Sequence, residues 1–196
     1  MFERSHHEVT VTLPSDREIC FSRFFEWPRH LVFEAWTNPE HVRHWWGCAG
    51  STLTVCEIDL RPGGAWRIVM RMADGSEHPF KGVYREIVPS RRLVYTECYD
   101  MPGIGSPEWL TTVTFEDLDG KTKLTNSLLH RSVQARDGHL QAGMEPGMTQ
   151  TLNRLAEHVA LMARQALGEH DEGIVPSSSK RNLELTNTQN YKGSNP

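Results

Sequence analysis

The chain has 196 residues, 38% of them hydrophobic and 23% charged, with a net charge of −4 at pH 7. That size fits one domain plus some extra length and is enough to bury a sizeable core. The negative balance gives no electrostatic reason to expect nucleic acid or an anionic membrane, and no apolar run approaches the roughly 18 residues that insertion across a bilayer needs.

Residues 1–16 are polar and read as a flexible N-terminal segment, with Pro14-Ser15-Asp16 as a late breaker. Met1-Phe2-Glu3-Arg4-Ser5-His6-His7 lacks the apolar core of a secretory signal. Cys20, Cys48, Cys56 and Cys98 follow no CxxC spacing, so reduced thiols in a cytoplasmic protein are the expectation.

From Glu18 to Glu26 the run EICFSRFFE is aromatic and β-branched and reads as a first strand, with an alternation too imperfect to assign its inward face. Pro28 opens a short helix to Trp36, with Leu31, Val32, Ala35 and Trp36 as its apolar stripe. Asn38 then caps a second helix, with Pro39 as its first residue, running to about Trp45. The bend looks like a helix-turn-helix, but neither helix carries the basic cluster a DNA reader needs.

Six strands follow, at Ser51–Leu60, Ala65–Ala73, Pro79–Ile87, Arg92–Asp100, Leu110–Asp117 and Lys121–His130. Their joints carry turn chemistry: Pro62-Gly63-Gly64, Asp74-Gly75, Pro89-Ser90, the Met101–Pro107 loop and Asp119-Gly120. Connections this short imply sequential hairpins and an antiparallel meander. In the second of these strands Trp66, Ile68, Met70 and Met72 share one face, and Ala65, Arg67, Val69 and Arg71 share the other. The residues leave open whether that apolar row is solid core or the wall of a cavity.

After Asp137-Gly138 the period changes. Met144, Met148, Leu152, Leu155, Val159, Met162 and Ala166 fall at helical spacing, predicting a long helix that ends near Leu167-Gly168. Gly143, Pro146 and Gly147 are expected to weaken or kink its first turns. Residues 168–196 are polar, without periodicity, and are expected to be disordered or loosely docked.

The order is β-α-α-β6-α, an α+β architecture. Within it, residues 17–167 resemble the activator of 90-kDa heat shock protein ATPase homologue family of the START-like or SRPBCC superfamily. The resemblance is carried by Ser22-Arg23-Phe24-Phe25-Glu26-Trp27-Pro28, Val32 through Glu40, Trp45-Trp46, Gly63-Gly64, Asp74-Gly75, Gly82 through Ile87 and Arg92-Leu93-Val94. The last match runs from Gly143-Met144-Glu145-Pro146-Gly147 through Arg154-Leu155. It implies the helix-grip fold, a curved antiparallel sheet around a long C-terminal helix with a deep pocket between them. Many relatives have an aromatic residue where this chain has Met148, which implies a softer or wider wall. The chaperone activator proper also has a separate N-terminal domain for which there is no room here, so a chaperone partner is not expected.

Two kinds of residue could serve such a pocket. Trp45, Trp46, Trp66, Ile68, Met70, Met72, Phe80, Tyr84, Tyr95, Trp109 and Met148 would take a small lipophilic molecule. Glu97 and His130 are polar groups on strands otherwise apolar on the same face; buried, they could act as acid or base, and at a strand edge they would be plain solvated groups. Glu86, Arg67 and Arg71 read as solvated.

His41 and His44 sit three apart on one short helix without a third ligand, and His6-His7 lies in the polar N-terminus, so no metal is expected. His139, His158 and His170 read as surface groups. No GxSxG, HExxH or Walker pattern occurs, and no cofactor is implied.

The reading is a domain that binds a small hydrophobic or amphipathic molecule between sheet and helix. Its rivals are a polyketide cyclase or hydrolase-like enzyme using the same cavity, with Glu97 or His130 as acid or base, and a chaperone-regulating interaction module. Exposed strand edges leave a homodimer open.

Overall fold

A computed structural model describes residues 8–101 and 108–171. The readings made for residues 1–7, for 102–107 of the loop and for the tail beyond Asp171 lie outside the described residues.

The elements in chain order are β1 (Thr10–Thr12), β2 (Glu18–Phe25), α1 (Arg29–Thr37), α2 (Pro39–Trp45), β3 (Thr52–Ile58), β4 (Ala65–Arg71), β5 (Glu77–Val88), β6 (Arg92–Tyr99), β7 (Trp109–Leu118), β8 (Lys121–Leu129), α3 (Val133–Gln141) and α4 (Met144–Asp171). The strands form one open antiparallel sheet in the order β1-β2-β8-β7-β6-β5-β4-β3. β3 to β8 are the expected meander, and β2 joins it by pairing along the whole of β8. α4 packs against α1, α2, α3 and β2.

Local chemistry explains the joints. Asn38 ends one helix and starts the next: its N–H donates to Glu34 O at 2.9 Å, and its Oδ1 accepts from Glu40 N–H at 3.0 Å. Pro39 stands at the first helical position, where the missing N–H loses no bond. In the Pro62-Gly63-Gly64 joint, Gly63 has φ +81 and donates to Tyr84 O at 2.8 Å, while Gly64 O accepts from Tyr84 N–H at 2.9 Å. A side chain at Gly64 would stand 2.0 Å from Asp59 O, so the reversal is held against β5 by two glycines.

The core lies between the concave face of the sheet and the helices. β2 alternates cleanly, with Ile19, Phe21, Arg23 and Phe25 buried, which settles the face that the sequence left unassigned. Leu152, Leu155 and Val159 of α4 are fully buried, as the helical spacing of the sequence predicted.

Several expectations need correction. Thr10–Thr12, within the segment read as flexible, is a strand on the edge of β2. Val69, on the face opposite Trp66 and Ile68, is also buried; it stands in register between Val55 and Pro79, so that face has a small apolar row of its own. α3 was not foreseen. α4 does not stop at Gly168 but runs to Asp171, because glycine permits a helix end without compelling one. Pro146 falls in the first turn of α4, where a proline is tolerated, and the helix starts at Met144 after Gly143.

Candidate functional site

A small void of about 30 Å³ lies where α1 and α2 meet the sheet. Trp36 of α1, Val42 and Trp45 of α2, and Trp46 at the end of α2 cover it. Ile58 of β3, Trp66 and Ile68 of β4, Tyr84 of β5, and Tyr95 and Glu97 of β6 form its floor. The period-two spacing of β4 aims Trp66 and Ile68 inward together. The rings lock one another: Trp66 meets Tyr95 edge-on at 5.8 Å, Tyr84 meets Tyr95 at 5.6 Å, and Trp36 tilts against Trp45 at 5.0 Å. The Trp45 indole N–H donates to Ala35 O at 2.8 Å, fixing α2 on α1.

Of the residues singled out in the sequence, Trp45, Trp46, Trp66, Ile68, Tyr84, Tyr95 and Glu97 are brought together at this void. Met70, Met72, Trp109, His130 and Met148 stand away from its wall. Met70 and Met72 are only half-buried, and Met72 Sδ lies 3.7 Å from Cys48 Sγ. Met148 faces Asn126, whose Nδ2 lies 3.8 Å from its sulfur. Phe80 packs edge-on against Trp46 at 5.0 Å, at the border of the site. Trp36, Val42 and Ile58 line the void without having been singled out. Trp36 and Val42 come from helices, where an apolar stripe reads as core whether or not a void lies beneath it.

Glu97 is the one charged group on the wall. It keeps some accessible surface where it borders the void, yet the packing around it pushes its carboxyl up to about 7. Thr111 Oγ1 donates to Glu97 Oε2 at 3.0 Å and opposes that rise, as does the indole of Trp109, its cross-strand neighbour. The Trp66 indole Nε1 is buried without an acceptor. The phenols of Tyr84 and Tyr95 are both pushed up, by burial first and also by the Glu97 charge.

On this wall, therefore, stand a carboxyl that holds its proton up to about neutral pH and one indole donor, Trp66, without an acceptor. When protonated, the carboxyl can donate to a carbonyl; above that range it accepts. Gly82 lets the wall close. A Cβ there would stand 2.6 Å from Trp66 Nε1 and 1.7 Å from Thr96 O.

His130 lies on the far side of Trp109, stacked on its indole at 5.9 Å. Its Nε2 is 2.9 Å from His139 Nδ1, so His139, read as a surface group, in fact ties α3 to the sheet. Burial lowers both imidazoles, His139 to about 4 with His130 adding to the effect.

His158, also read as a surface group, packs from α4 onto α2. Its Nε2 is 3.1 Å from His41 Nδ1, and its ring stacks on His44 at 5.0 Å. Burial, then His41 and His44, lowers His158 to about 4. Among the described residues no group of three or more His, Cys, Asp or Glu side chains is placed to hold a metal ion.

Residues 26–160 match the sequence profile of the family described as Activator of Hsp90 ATPase homolog 1-like protein. Solved structures share the fold. A protein from Rhodobacter sphaeroides is 24% identical with a TM-score of 0.71, over 79% of this chain and 99% of its own. One from Nitrosomonas europaea is 22% identical with a TM-score of 0.69, over 78% and 99%. A family protein from Silicibacter pomeroyi is 20% identical with a TM-score of 0.64, over 74% and 99%. No curated protein matches the chain significantly.

Proposed function

Because the chain belongs to the Activator of Hsp90 ATPase homolog 1-like family, we propose that it binds a small amphipathic molecule between its sheet and its helices. The supporting observation is the aromatic wall with a single half-buried carboxyl, Glu97, on it, and the buried Trp66 indole N–H that has no acceptor. Apolar walls with a few convergent polar groups are the ordinary make-up of a ligand site.

The void of about 30 Å³ holds water and nothing larger, so a ligand enters by parting Trp46 from Phe80. Trp46 is only half-buried and sits just past the end of α2, which makes it the side chain with least to lose by moving. The ligand's apolar part would then lie on Trp45, Trp66 and Tyr95, and its polar end on Glu97.

Residues 17–167 would form this binding domain, with no cofactor involved. No described helix is long and apolar enough to cross a membrane. The four free cysteines fit a reducing, cytoplasmic setting.

The test is mass spectrometry of small molecules that co-purify with the native chain, followed by titration of the compounds found and of a panel of alkyl amides and alcohols. Binding should quench tryptophan fluorescence and raise Tm, and Trp66→Leu should weaken both effects tenfold or more. A panel that changes neither signal overturns the reading.

One observation favours an enzyme instead. A carboxyl near pH 7 is matched to general acid or base work. In that case Glu97→Gln would abolish turnover of a ligand so identified while leaving the fold intact.

A further inference from the structure

Arg23 stands on the inner face of β2 between Phe21 and Phe25 and is 8% exposed. Its Nη1 donates to Asn153 Oδ1 of α4, and its guanidinium carbon lies 6.0 Å over the Phe25 ring. Its Nε is buried with no acceptor. Among the described residues no carboxylate lies close enough to form an ion pair with it. Burial accordingly lowers its pKa, with the more distant Glu157 opposing. An arginine cannot shed its proton in a protein, and a buried cation without a counter-ion is costly. Arg23 nonetheless lines an open groove.

That groove, of about 430 Å³, runs along α4 and is lined by Arg23, Asn153, Ala156, Glu157, Ala160 and Arg164. Ala156 and Ala160 lie one turn apart, and their small side chains leave the space open. Two arginines against one glutamate leave the groove with an excess positive charge. It shares no lining residue with the void at Glu97.

We propose that this groove is a second binding site, which takes the oxyanion of a small molecule, a carboxylate or a phosphate, between Arg23 and Arg164. The anion would supply the counter-charge that Arg23 lacks, and guanidinium groups pair well with both carboxylate and phosphate. Glu157 competes with it for the same cations.

Calorimetric titration of the full chain at constant ionic strength tests this, with inorganic phosphate, octanoate and octyl phosphate as probes and chloride and octanol as controls. One or more of the anions should bind saturably at one per chain, and the two controls should not compete. The phosphate and octanoate arms tell which oxyanion the site prefers. Arg164→Gln, an exposed change, should weaken binding about tenfold, Arg23→Gln more, and Glu157→Gln should strengthen it severalfold. Trp66→Leu, at the other site, should leave it unchanged. Absence of saturable binding by all three anions, or binding unaltered by Arg164→Gln and Arg23→Gln, overturns the proposal. Neither result bears on the Glu97 site.

Discussion

Trp66 lies across Gly82, its indole nitrogen 2.6 Å from the point where a Cβ on residue 82 would stand. Thr96 O, a backbone atom that no rotamer change can move, is closer still at 1.7 Å. Gly82→Ala should therefore cost about 3 kcal/mol or more, at the upper end for overpacking, and shift the tryptophan emission as Trp66 is displaced. Urea unfolding checks this, and an unchanged midpoint would contradict the close approach.

Glu97 makes stability fall as pH rises. The folded carboxyl titrates at about 7 and the unfolded one near the ordinary 4.5, so between those values folding takes up a proton. The stabilising state is fully present below about 4.5 and is lost as pH rises through about 7. Glu97→Gln removes that slope. The variant should match the parent near pH 5 and exceed it at pH 8 by about 1–3 kcal/mol, measured by urea unfolding at each pH.

The histidines act in the opposite sense. His139 and His158 titrate at about 4 in the folded chain against an ordinary 6.5, so the unfolded chain binds the extra protons. Stability is lost as pH falls from about 6.5 towards 4. His158 meets His41 and His44 of α2, with Glu34 of α1 3.7 Å from His41. His139 meets His130 and Trp109. Tm should drop on acidification to pH 5, and His158→Gln should make the drop smaller, with the pH 7 value changed by less than the acid loss it relieves.

Arg154 of α4 donates to three carbonyls just beyond and within the end of α2: His44 O at 3.1 Å, Gly47 O at 3.0 Å and Cys48 O at 2.9 Å. A guanidinium fork over a helix C-terminus satisfies acceptors that have no helical partner. Arg154→Met keeps the stem and removes the fork. It should cost about 2–3 kcal/mol, in line with charged hydrogen bonds, and speed amide exchange over residues 44–51. Arg154→Lys should recover part of that loss only, because one ammonium cannot span three carbonyls.

What the sequence disclosed follows from how local the governing physics is. Asn38-Pro39, Asp74-Gly75 and Asp119-Gly120 set their turns by their own chemistry, so the helix pair and the meander were legible. α3 was not, because none of its residues is buried and it therefore carries no apolar stripe. Three-residue β1 offers no period to detect.

Trp66 and Ile68 announced the inner face of β4, but the same alternation added Met70 and Met72, which lie away from the void. Where a strand face leaves a site depends on the curvature of the sheet and not on spacing. The surroundings of Glu97 were also hidden: its place beside Leu93 and Tyr95 was readable, but its sharing a wall with Trp36, Trp45 and Trp46 is a tertiary fact.

Glu18 pairs with Leu129 and Phe25 with Thr122, so the first long strand is seated beside the last. During synthesis, β2 emerges with Ile19, Phe21 and Phe25 uncovered and stays so until β8 has followed. The hairpins from β3 to β8 close between neighbours in the chain, whereas the β2–β8 seam must close a loop of most of the domain. The topology thus makes the β2–β8 seam the pairing with the most chain entropy to overcome, and the aromatic face of β2 the surface left uncovered until β8 is in place.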